Sequence, residues 1–340
     1  MPDESVAAAV LITSEALDDF AAEWAALHAR VPGATPFTHP AWHQVWLRHF
    51  GDACSPTFLS FRLGDELVGA AALDPSGEVA RQLGDHNVCD YAGVLALPGH
   101  EDAVALGLLE WLMEDLTPVL ELWGVPEDSP FRAGFQKAAT RFNWNYREAP
   151  EAVCPGVDLP GDFDSFVASL GKHDRHELRR KLRNLESAGM VTCDAATTAD
   201  EIVPQIDGLL DMMRASRDAK AAFLTPMMEA FFRDLGATFG ALGLARLVTL
   251  KLDGVPVART FSFENATTEF LYNCGFDPEF AHLAVGLASK AYAIEDAIRR
   301  GKTRFDFLRG DEEYKRRLGG VPLQVYTLIL RQASASPEDR

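Results

Sequence analysis

The sequence lacks the short motifs that mark the common nucleotide, hydrolase and zinc sites. It has no glycine-rich phosphate loop, no Rossmann fingerprint, no Gly-x-Ser-x-Gly elbow and no His-Glu-x-x-His motif. Cysteine is scarce as well, since the 5 cysteines are far apart and form no Cys-x-x-Cys pair. This spacing argues against a zinc site and against a disulfide framework. We therefore expect reduced thiols, no bound metal and no permanently bound cofactor.

Long apolar runs and positive charge are also in short supply. The early apolar run, residues 6–12, is too short for a signal peptide and has no basic flank, and no segment is long enough to span a membrane. The chain has 50 acidic against 32 basic residues, a net charge of -18. This balance argues against a general nucleic-acid binder and against binding to anionic membranes. We therefore expect a cytoplasmic protein without a membrane span.

What the sequence does contain is an internal repeat. One strand–turn–strand pattern turns at Gly64, and a second turns at Asp253 in the other half of the chain. A buried strand pattern at Glu121 likewise recurs at Asp306, at nearly the same separation along the chain. The agreement in order and spacing predicts one unit, of roughly 150 residues, that occurs twice.

The composition between the two copies predicts where the first domain ends. Residues 150–161 are rich in proline and glycine, which is typical of a linker. We therefore predict domains at 1–155 and 156–332, followed by a disordered tail at 333–340. Both halves mix helical and strand patterns, so the expected fold class is α/β, with mixed α and β elements in each domain.

A basic segment stands out against the acidic background. Residues 172–183 hold six Lys or Arg residues in 12 positions. On a helix, Arg175, Arg179 and Arg183 would share one face at four-residue steps. Clustered guanidinium groups favour a phosphate or another anion as ligand. The alternative is a solvated amphipathic helix held in place by its leucines.

Polar residues cluster where predicted strands end, which is where open α/β sheets bind ligands. A turn at 274–281 leads into a helix that we expect to begin near His282, and such a helix start offers free N–H groups to a pyrophosphate. Gly286, in the first turns of that helix, would allow close approach. The strand-end candidates are Asp90, Tyr91, Tyr272, Asn273, Arg309, Asp311, Tyr314 and Lys315.

Three stretches resemble one family. They are Phe-Asp-Phe-Leu-Arg-Gly-Asp-Glu-Glu-Tyr-Lys at 305–315, Leu-Tyr-Asn-Cys-Gly-Phe-Asp-Pro at 271–278, and the basic helix ahead of Leu-Glu-Ser-Ala-Gly at 185–189. They are similar to landmarks of the CelD-like acetyltransferases, a group within the GNAT acyl-CoA N-acyltransferase superfamily, and the resemblance covers about residues 35–330. The Fem-type aminoacyl transferases are similar in having two tandem GNAT folds, and their late aromatic–lysine pair corresponds to Tyr314-Lys315.

The resemblance implies two tandem GNAT-like domains, each a mixed, mostly antiparallel sheet flanked by helices. It implies an acyltransferase that moves an acyl group from acyl-CoA, with acetyl-CoA as the expected co-substrate, to an amine on a small molecule or glycan. The amine would attack directly in a ternary complex. The donor would lie along 274–286, where Ala284-Val285-Gly286 stands in place of the family's frequent Ser-Pro-Gly. Its expected binding residues are Arg175, Arg179, Asn273, Gly275, Gly286 and Arg309.

Acyl transfer needs a base for the amine, a positive group for the acyl oxygen and an acid for the leaving thiolate. Asp90 and Asp311 are candidates for the base, Lys315 for the group that faces the oxyanion, and Tyr272 and Tyr314 for the acid. Two alternatives stay open. One is a non-catalytic ligand- or partner-binding module on the same fold. The other is a Fem-type transferase with an aminoacyl-tRNA donor, which the net charge disfavours.

Overall fold

The computed structural model of the protein describes residues 10–216 and 218–333. They form two compact units: unit 1 takes in residues 10–152 and 324–333, and unit 2 takes in the described part of 153–323. The chain therefore leaves unit 1 once, completes unit 2 and returns to unit 1 for its last strand. Apart from Ala333, the predicted tail at 333–340 lies outside the described residues.

Both units alternate helices and strands. Unit 1 begins with β1 (Leu11–Glu15), α1 (Leu17–Arg30), α2 (Pro40–Phe50), β2 (Thr57–Leu63), β3 (Glu66–Asp74), β4 (Val79–Gln82), β5 (Val94–Ala96), α3 (Glu101–Glu114), β6 (Val119–Pro126), α4 (Pro130–Phe142) and β7 (Trp144–Val153). Unit 2 consists of β8 (Gly156–Asp158), α5 (Phe163–Ser169), α6 (Lys172–Ala188), β9 (Val191–Ala196), α7 (Ala199–Ser216), α8 (Asp218–Phe223), α9 (Pro226–Ala241), β10 (Ala245–Leu252), β11 (Val255–Glu264), β12 (Thr268–Phe276), α10 (Val285–Arg299), β13 (Arg304–Asp306) and α11 (Glu313–Arg317). β14 (Gln324–Gln332) completes unit 1, and short 3₁₀ turns lie at Pro36–Thr38, Gly51–Ala53 and Pro278–Leu283.

Each unit is built on one mixed, mostly antiparallel sheet, and the two sheets share one strand order. Unit 1 runs β1-β2-β3-β4-β6-β14-β7, with β5 attached to β3, and unit 2 runs β9-β10-β11-β12-β13-β8. The fourth and fifth strands of each order are parallel, β4 with β6 and β12 with β13. The other pairs from β1 to β14 and from β9 to β8 are antiparallel. The mixed α/β class and the duplication are confirmed.

The repeat extends to the irregularities of the strands. Both hairpins carry a β-bulge in their second strand, at Val68 and at Val257, where the register shifts by one residue. These two bulges have the same separation along the chain as the two hairpin turns, and so do the starts of the parallel pairing at Val79 and Thr268. β6 and β13 are the partners of β4 and β12 in this parallel pairing. The positions at which β6 and β13 begin to pair have the same separation along the chain as the two buried strand patterns. The two spacings seen in the sequence are therefore the spacings of equivalent strand positions.

Two segments differ from the sequence prediction. Residues 150–161, predicted as a linker, contain the end of β7 and all of β8, because both strands find partners that are distant in sequence. Residues 324–332, assigned to the second domain, form β14 and pair with β6 in the sheet of unit 1, from Val325 opposite Pro126 onward. An alternating pattern predicts a strand, but the partner of that strand is decided elsewhere in the chain.

Unit 2 carries helices on both faces of its sheet. α5, α6 and α10 share an apolar cluster with Leu271 and Phe305. Phe270 pairs with Phe263, whose ring meets Phe239 of α9 at 4.7 Å, so α9 covers the other face, since neighbouring strand residues point to opposite sides. Within the two described stretches of the chain, no helix is both long and apolar enough to cross a membrane.

Candidate functional site

The parallel strands β12 and β13 separate after a short stretch of pairing. Residues 268–270 pair with 304–306, and β12 then continues to Phe276 without β13. The chain beyond β13 stays on the other side, where the N–H of Phe307 donates to the carbonyl oxygen of Pro155 at 2.9 Å. An opening therefore forms between the carboxyl ends of two neighbouring parallel strands. We call it the β12–β13 opening, and its position is the one at which α/β sheets bind ligands.

The turn after β12 leads directly into the start of α10. Within it Asp277 accepts a hydrogen bond from the N–H of Glu279 at 3.0 Å, and Ala284 adopts the left-handed conformation with φ 55°. No side chain caps α10, which begins three residues later than the sequence predicted. The first N–H groups of a helix have no partner inside it, so an uncapped start is suited to an anionic group.

Two glycines predicted to bind the donor lie against other parts of the protein. A Cβ on Gly286 would lie 3.0 Å from Cδ1 of Phe276, so this glycine admits an aromatic ring. A Cβ on Gly275 would lie 2.5 Å from the backbone nitrogen of Met213 in α7. Both glycines therefore allow β12 and its neighbouring helices to pack closely. A contact of either glycine with a donor stays a prediction.

The basic helix α6 borders the same turn. Leu185 of α6 and Val285 of α10 belong to one apolar cluster. Arg179 and Arg183 are exposed, and no acidic side chain of the described residues lies within ion-pair distance of either. Arg175 is half-buried and donates to a carbonyl oxygen of α5 at 2.8 Å. Two of the three predicted arginines are thus exposed and available to an anion.

Lys315 is buried, and its ammonium organises the loop after β13. Nζ donates to the carbonyl oxygens of Leu308 at 2.9 Å and Arg309 at 2.6 Å, and it lies 3.0 Å from the carboxylate of Glu312. This loop turns sharply, with φ 56° at Leu308 and 123° at Gly310. An ammonium has three protons to donate, and these three oxygens match them. Lys315 could face an oxyanion only by leaving these partners.

Asp311 and Tyr314 lie on the same segment in different surroundings. Asp311 is exposed, and its carboxylate pairs with Arg316 at 3.2 Å. Tyr314 is half-buried, with its ring 6.2 Å from that of Phe307 at the end of β13. The half-buried Arg309 contributes its carbonyl oxygen to the Lys315 contact. Tyr314 is therefore the predicted acid beside the carboxyl end of β13, and the catalytic roles stay predictions.

Tyr272 and Asn273 lie inside β12, although the sequence predicted that the strand ends before them. Tyr272 is the extra residue of a bulge, which interrupts the alternation that defines a strand pattern. Its ring packs 5.5 Å from that of Phe232 and 5.2 Å from that of Phe263, on the α9 side of the sheet. The side-chain oxygen of Asn273 accepts from Lys220 at 2.8 Å.

The corresponding place in unit 1 is filled by the chain itself. After β4, residues 83–93 make an excursion before β5 resumes the pairing with β3. The N–H of Ala92 donates to the carbonyl oxygen of Gly124 in β6 at 3.0 Å. A Cβ on Gly124 would lie 2.8 Å from the carbonyl oxygen of Asp90 and 2.9 Å from the Cα of Tyr91. Asp90 and Tyr91 thus belong to unit 1, whereas the predicted catalytic residues other than Asp90 belong to unit 2.

A buried lysine near the β12–β13 opening was not among the residues that the sequence predicted for the site. Lys290 of α10 is 5% exposed. Its Nζ donates to the carbonyl oxygen of Gly286 at 2.7 Å and lies 4.6 Å from the centre of the Tyr314 ring. The sequence signal that could have indicated its burial is that it is the single lysine among the mostly small and apolar residues of 287–294.

The opposite end of the sheet holds a buried ion network. Glu269, at the start of β12, is fully buried and pairs with Arg300, which also pairs with Glu264 and lies 3.0 Å from Asp296. Burial raises the pKa of Glu269 to about 7, and the nearby Arg300 acts in the opposite direction. This network joins β11, β12 and α10 away from the opening, so we assign it to stability.

Another concave surface of unit 2 is an open groove of about 440 Å³ between α6, β9 and α10. Burial raises the pKa of Cys193 in its wall to about 12, so this thiol is a poor nucleophile at neutral pH. The Tyr292 hydroxyl donates to the carboxylate of Glu186 at 3.2 Å. In the part of the chain that the structure describes, no group of three His, Cys, Asp or Glu side chains is placed to hold a metal ion.

Comparison with known proteins agrees with this architecture. Residues 172–316, which span the β12–β13 opening, match the family model described as an acetyltransferase (GNAT) domain. The chain has the fold of two tandem GNAT-like domains. A crystal structure of FemX is similar with a TM-score of 0.66 at 10% identity, covering 93% of this chain and 96% of FemX.

A second solved structure shares the fold over the whole chain. It is a conserved protein of unknown function from Bacteroides thetaiotaomicron VPI-5482, with a TM-score of 0.62 at 13% identity, covering 95% of this chain and 99% of that one. At these identities the likeness concerns the fold. No curated protein sequence matches the chain. The family match thus concerns residues 172–316, and the solved structures concern the fold of the chain.

Proposed function

We propose that the protein is a CelD-like N-acyltransferase that moves an acyl group from acyl-CoA, with acetyl-CoA as the natural donor, to an amine. The acceptor is a small molecule or a glycan-linked amine. The observation that carries the proposal is the β12–β13 opening beside the uncapped start of α10, inside the stretch that matches the GNAT family. The 5 free cysteines support a cytoplasmic location, where thiols stay reduced.

The reaction is a direct attack in a ternary complex. The amine nitrogen forms a bond to the thioester carbonyl carbon, and the carbon–sulfur bond breaks as the tetrahedral adduct collapses. The amine proton passes to a carboxylate, for which Asp311 and Asp90 are the candidates, and the thiolate takes a proton from a tyrosine. Tyr314 is the better placed tyrosine, since it lies beside the end of β13 whereas Tyr272 packs among phenylalanines. Lys315 holds the loop that leads from β13 into α11, the helix that contains Tyr314.

Two other functions have a specific observation in their favour. The exposed Arg179 and Arg183 favour an aminoacyl-tRNA donor, because unpaired guanidinium groups bind phosphates. The Ala284-Val285-Gly286 sequence at the start of α10, with Gly286 against a phenylalanine ring, favours a module that binds a ligand without catalysis. Acyl-CoA stays the first choice because a net charge of -18 opposes binding of a large polyanion.

The test begins with thermal denaturation in the presence of acetyl-CoA, longer acyl-CoAs and total tRNA. A ligand at about 100 times its Kd stabilises a protein by about 2.7 kcal/mol, so a true donor raises the melting temperature. Calorimetry should then find one donor per chain, because unit 1 fills its own opening. A tRNA donor would instead show affinity that falls steeply with salt. Donor binding without product from any of a panel of amines would favour the binding module.

A further inference from the structure

Lys290 is buried and, among the side chains that the structure describes, has no acidic partner. Its ammonium donates to the carbonyl oxygen of Gly286, and the ring of Tyr314 lies against it. Among the side chains of residues 10–216 and 220–333, no carboxylate lies within ion-pair distance of Nζ. Lys315, which is also buried, pairs with Glu312 at 3.0 Å, and the half-buried Lys302 pairs with Glu264 at 3.7 Å. Lys290 is therefore distinct from the lysines that support the fold.

The two contacts of Lys290 place it at the β12–β13 opening. Gly286 lies in the first turn of α10, which follows β12, and Tyr314 lies in α11, which follows β13. Nζ is thus held between the segments that leave the two diverging strands. Because its side chain reaches back by four residues to Gly286, the charge lies beside the uncapped start of α10.

A buried ammonium without an acidic partner destabilises the folded protein unless a ligand supplies the negative charge. Removing an ammonium from water is unfavourable, and buried lysines are almost always paired with an acid. One carbonyl oxygen satisfies one of three ammonium protons, and an aromatic ring stabilises the charge without neutralising it. At least one proton therefore stays available at a place where helix N–H groups already favour an anion.

We infer that Lys290 binds a phosphate group of the ligand held at the β12–β13 opening. This assignment rests on the proposed function in one respect only, that the ligand is a CoA thioester and the group is therefore its diphosphate. The side chain acts in binding, so its loss should raise the donor's Kd and KM and leave kcat nearly unchanged.

The experiment compares wild type, Lys290→Met and Lys290→Gln by calorimetry with three probes: CoA, inorganic pyrophosphate and acetyl-pantetheine, which lacks the diphosphate. We expect both variants to bind CoA and pyrophosphate about 10- to 100-fold more weakly, the effect of one charge-assisted hydrogen bond, and acetyl-pantetheine as wild type does. The melting temperature of Lys290→Met should be unchanged or higher, because an apolar side chain often suits a site better than an unpaired ion. Lys302→Met, the same change at the amino end of β13, should leave CoA affinity unaltered.

Every other result overturns the assignment of Lys290, the proposed CoA donor, or both. Equal CoA affinity in wild type and Lys290→Met would end the assignment of Lys290 and leave the proposed function standing. A lower melting temperature together with weaker binding of all three probes would show that Lys290 only supports the fold. If wild type binds pyrophosphate but not CoA, and Lys290→Met binds neither, the assignment holds and the CoA donor fails. A wild type that binds neither CoA nor pyrophosphate overturns both.

Discussion

Gly275 lies so close to Met213 that a Cβ on the glycine would be 2.5 Å from the backbone nitrogen of α7. The contact is between two backbones, so no side-chain rotation can relieve it. Gly275→Ala should therefore destabilise the protein by on the order of 3 kcal/mol, the upper end for overpacking. Urea denaturation measures this loss.

The matched control is Gly161→Ala, because a Cβ on Gly161 would have nothing within 4 Å. We expect this variant to stay within about 0.5 kcal/mol of wild type, as most surface changes do. Equal stability of the two variants would show that β12 and α7 are farther apart than described here.

Glu269 should make the free energy of unfolding depend on pH, with a contribution that decreases as the pH rises. Its pKa is raised from 4.5 to about 7 in the folded protein, so the folded state holds the proton more tightly than the unfolded state does. The resulting stabilisation is present at low pH and is lost as the pH rises from about 4.5 to 7. Glu269→Gln should remove this component, which is at most about 3 kcal/mol.

Chemical denaturation at several pH values between 4.5 and 8 isolates the effect as a difference between variant and wild type. Glu279→Gln is the control, since Glu279 is exposed. If the difference between Glu269→Gln and wild type were the same at every pH, Glu269 would be ionised throughout, and the pairing with Arg300 would outweigh burial.

Lys315→Met should act first on stability. The change removes the donor for two carbonyl oxygens, those of Leu308 and Arg309, and an unsatisfied buried group costs about 1–3 kcal/mol. We expect the melting temperature and the rate to fall together, since the loop that leads into the helix of Tyr314 loses its support. Thermal denaturation and a full kinetic set on the variant measure both.

The neighbouring change Arg316→Met removes an exposed pair with Asp311 and should have little effect on stability. A Lys315→Met protein of wild-type stability with kcat reduced about a hundredfold would instead support the direct role at an oxyanion.

The double substitution Arg179→Gln and Arg183→Gln should weaken binding of CoA several-fold and reduce its dependence on salt. Both side chains are exposed, so the melting temperature should not change. Arg180→Gln is the matched control, because Arg180 lies on the same helix but already pairs with Glu177 at 2.9 Å. Unchanged affinity in the double variant would show that this face of α6 is only solvated.

The sequence by itself determined the local elements and the repeat. The hairpin turns at Gly64 and Asp253 and the alternating strands beside them are signals within a few residues, because a turn and a two-residue period are local properties. The duplication was visible because equivalent positions kept their spacing, as Val79 and Thr268 do.

Only the tertiary structure decided which distant segments meet and which charges are buried. β14 pairs with β6, as the pairing of Val325 with Pro126 shows, although all of unit 2 lies between these two strands in the sequence. No local pattern specifies a partner so distant in sequence. The bulge at Tyr272 hid the second half of β12, because one extra residue reverses the alternation. The sequence does not show that Lys290 and Lys315 are buried, because the burial of a side chain depends on what the rest of the chain packs against it.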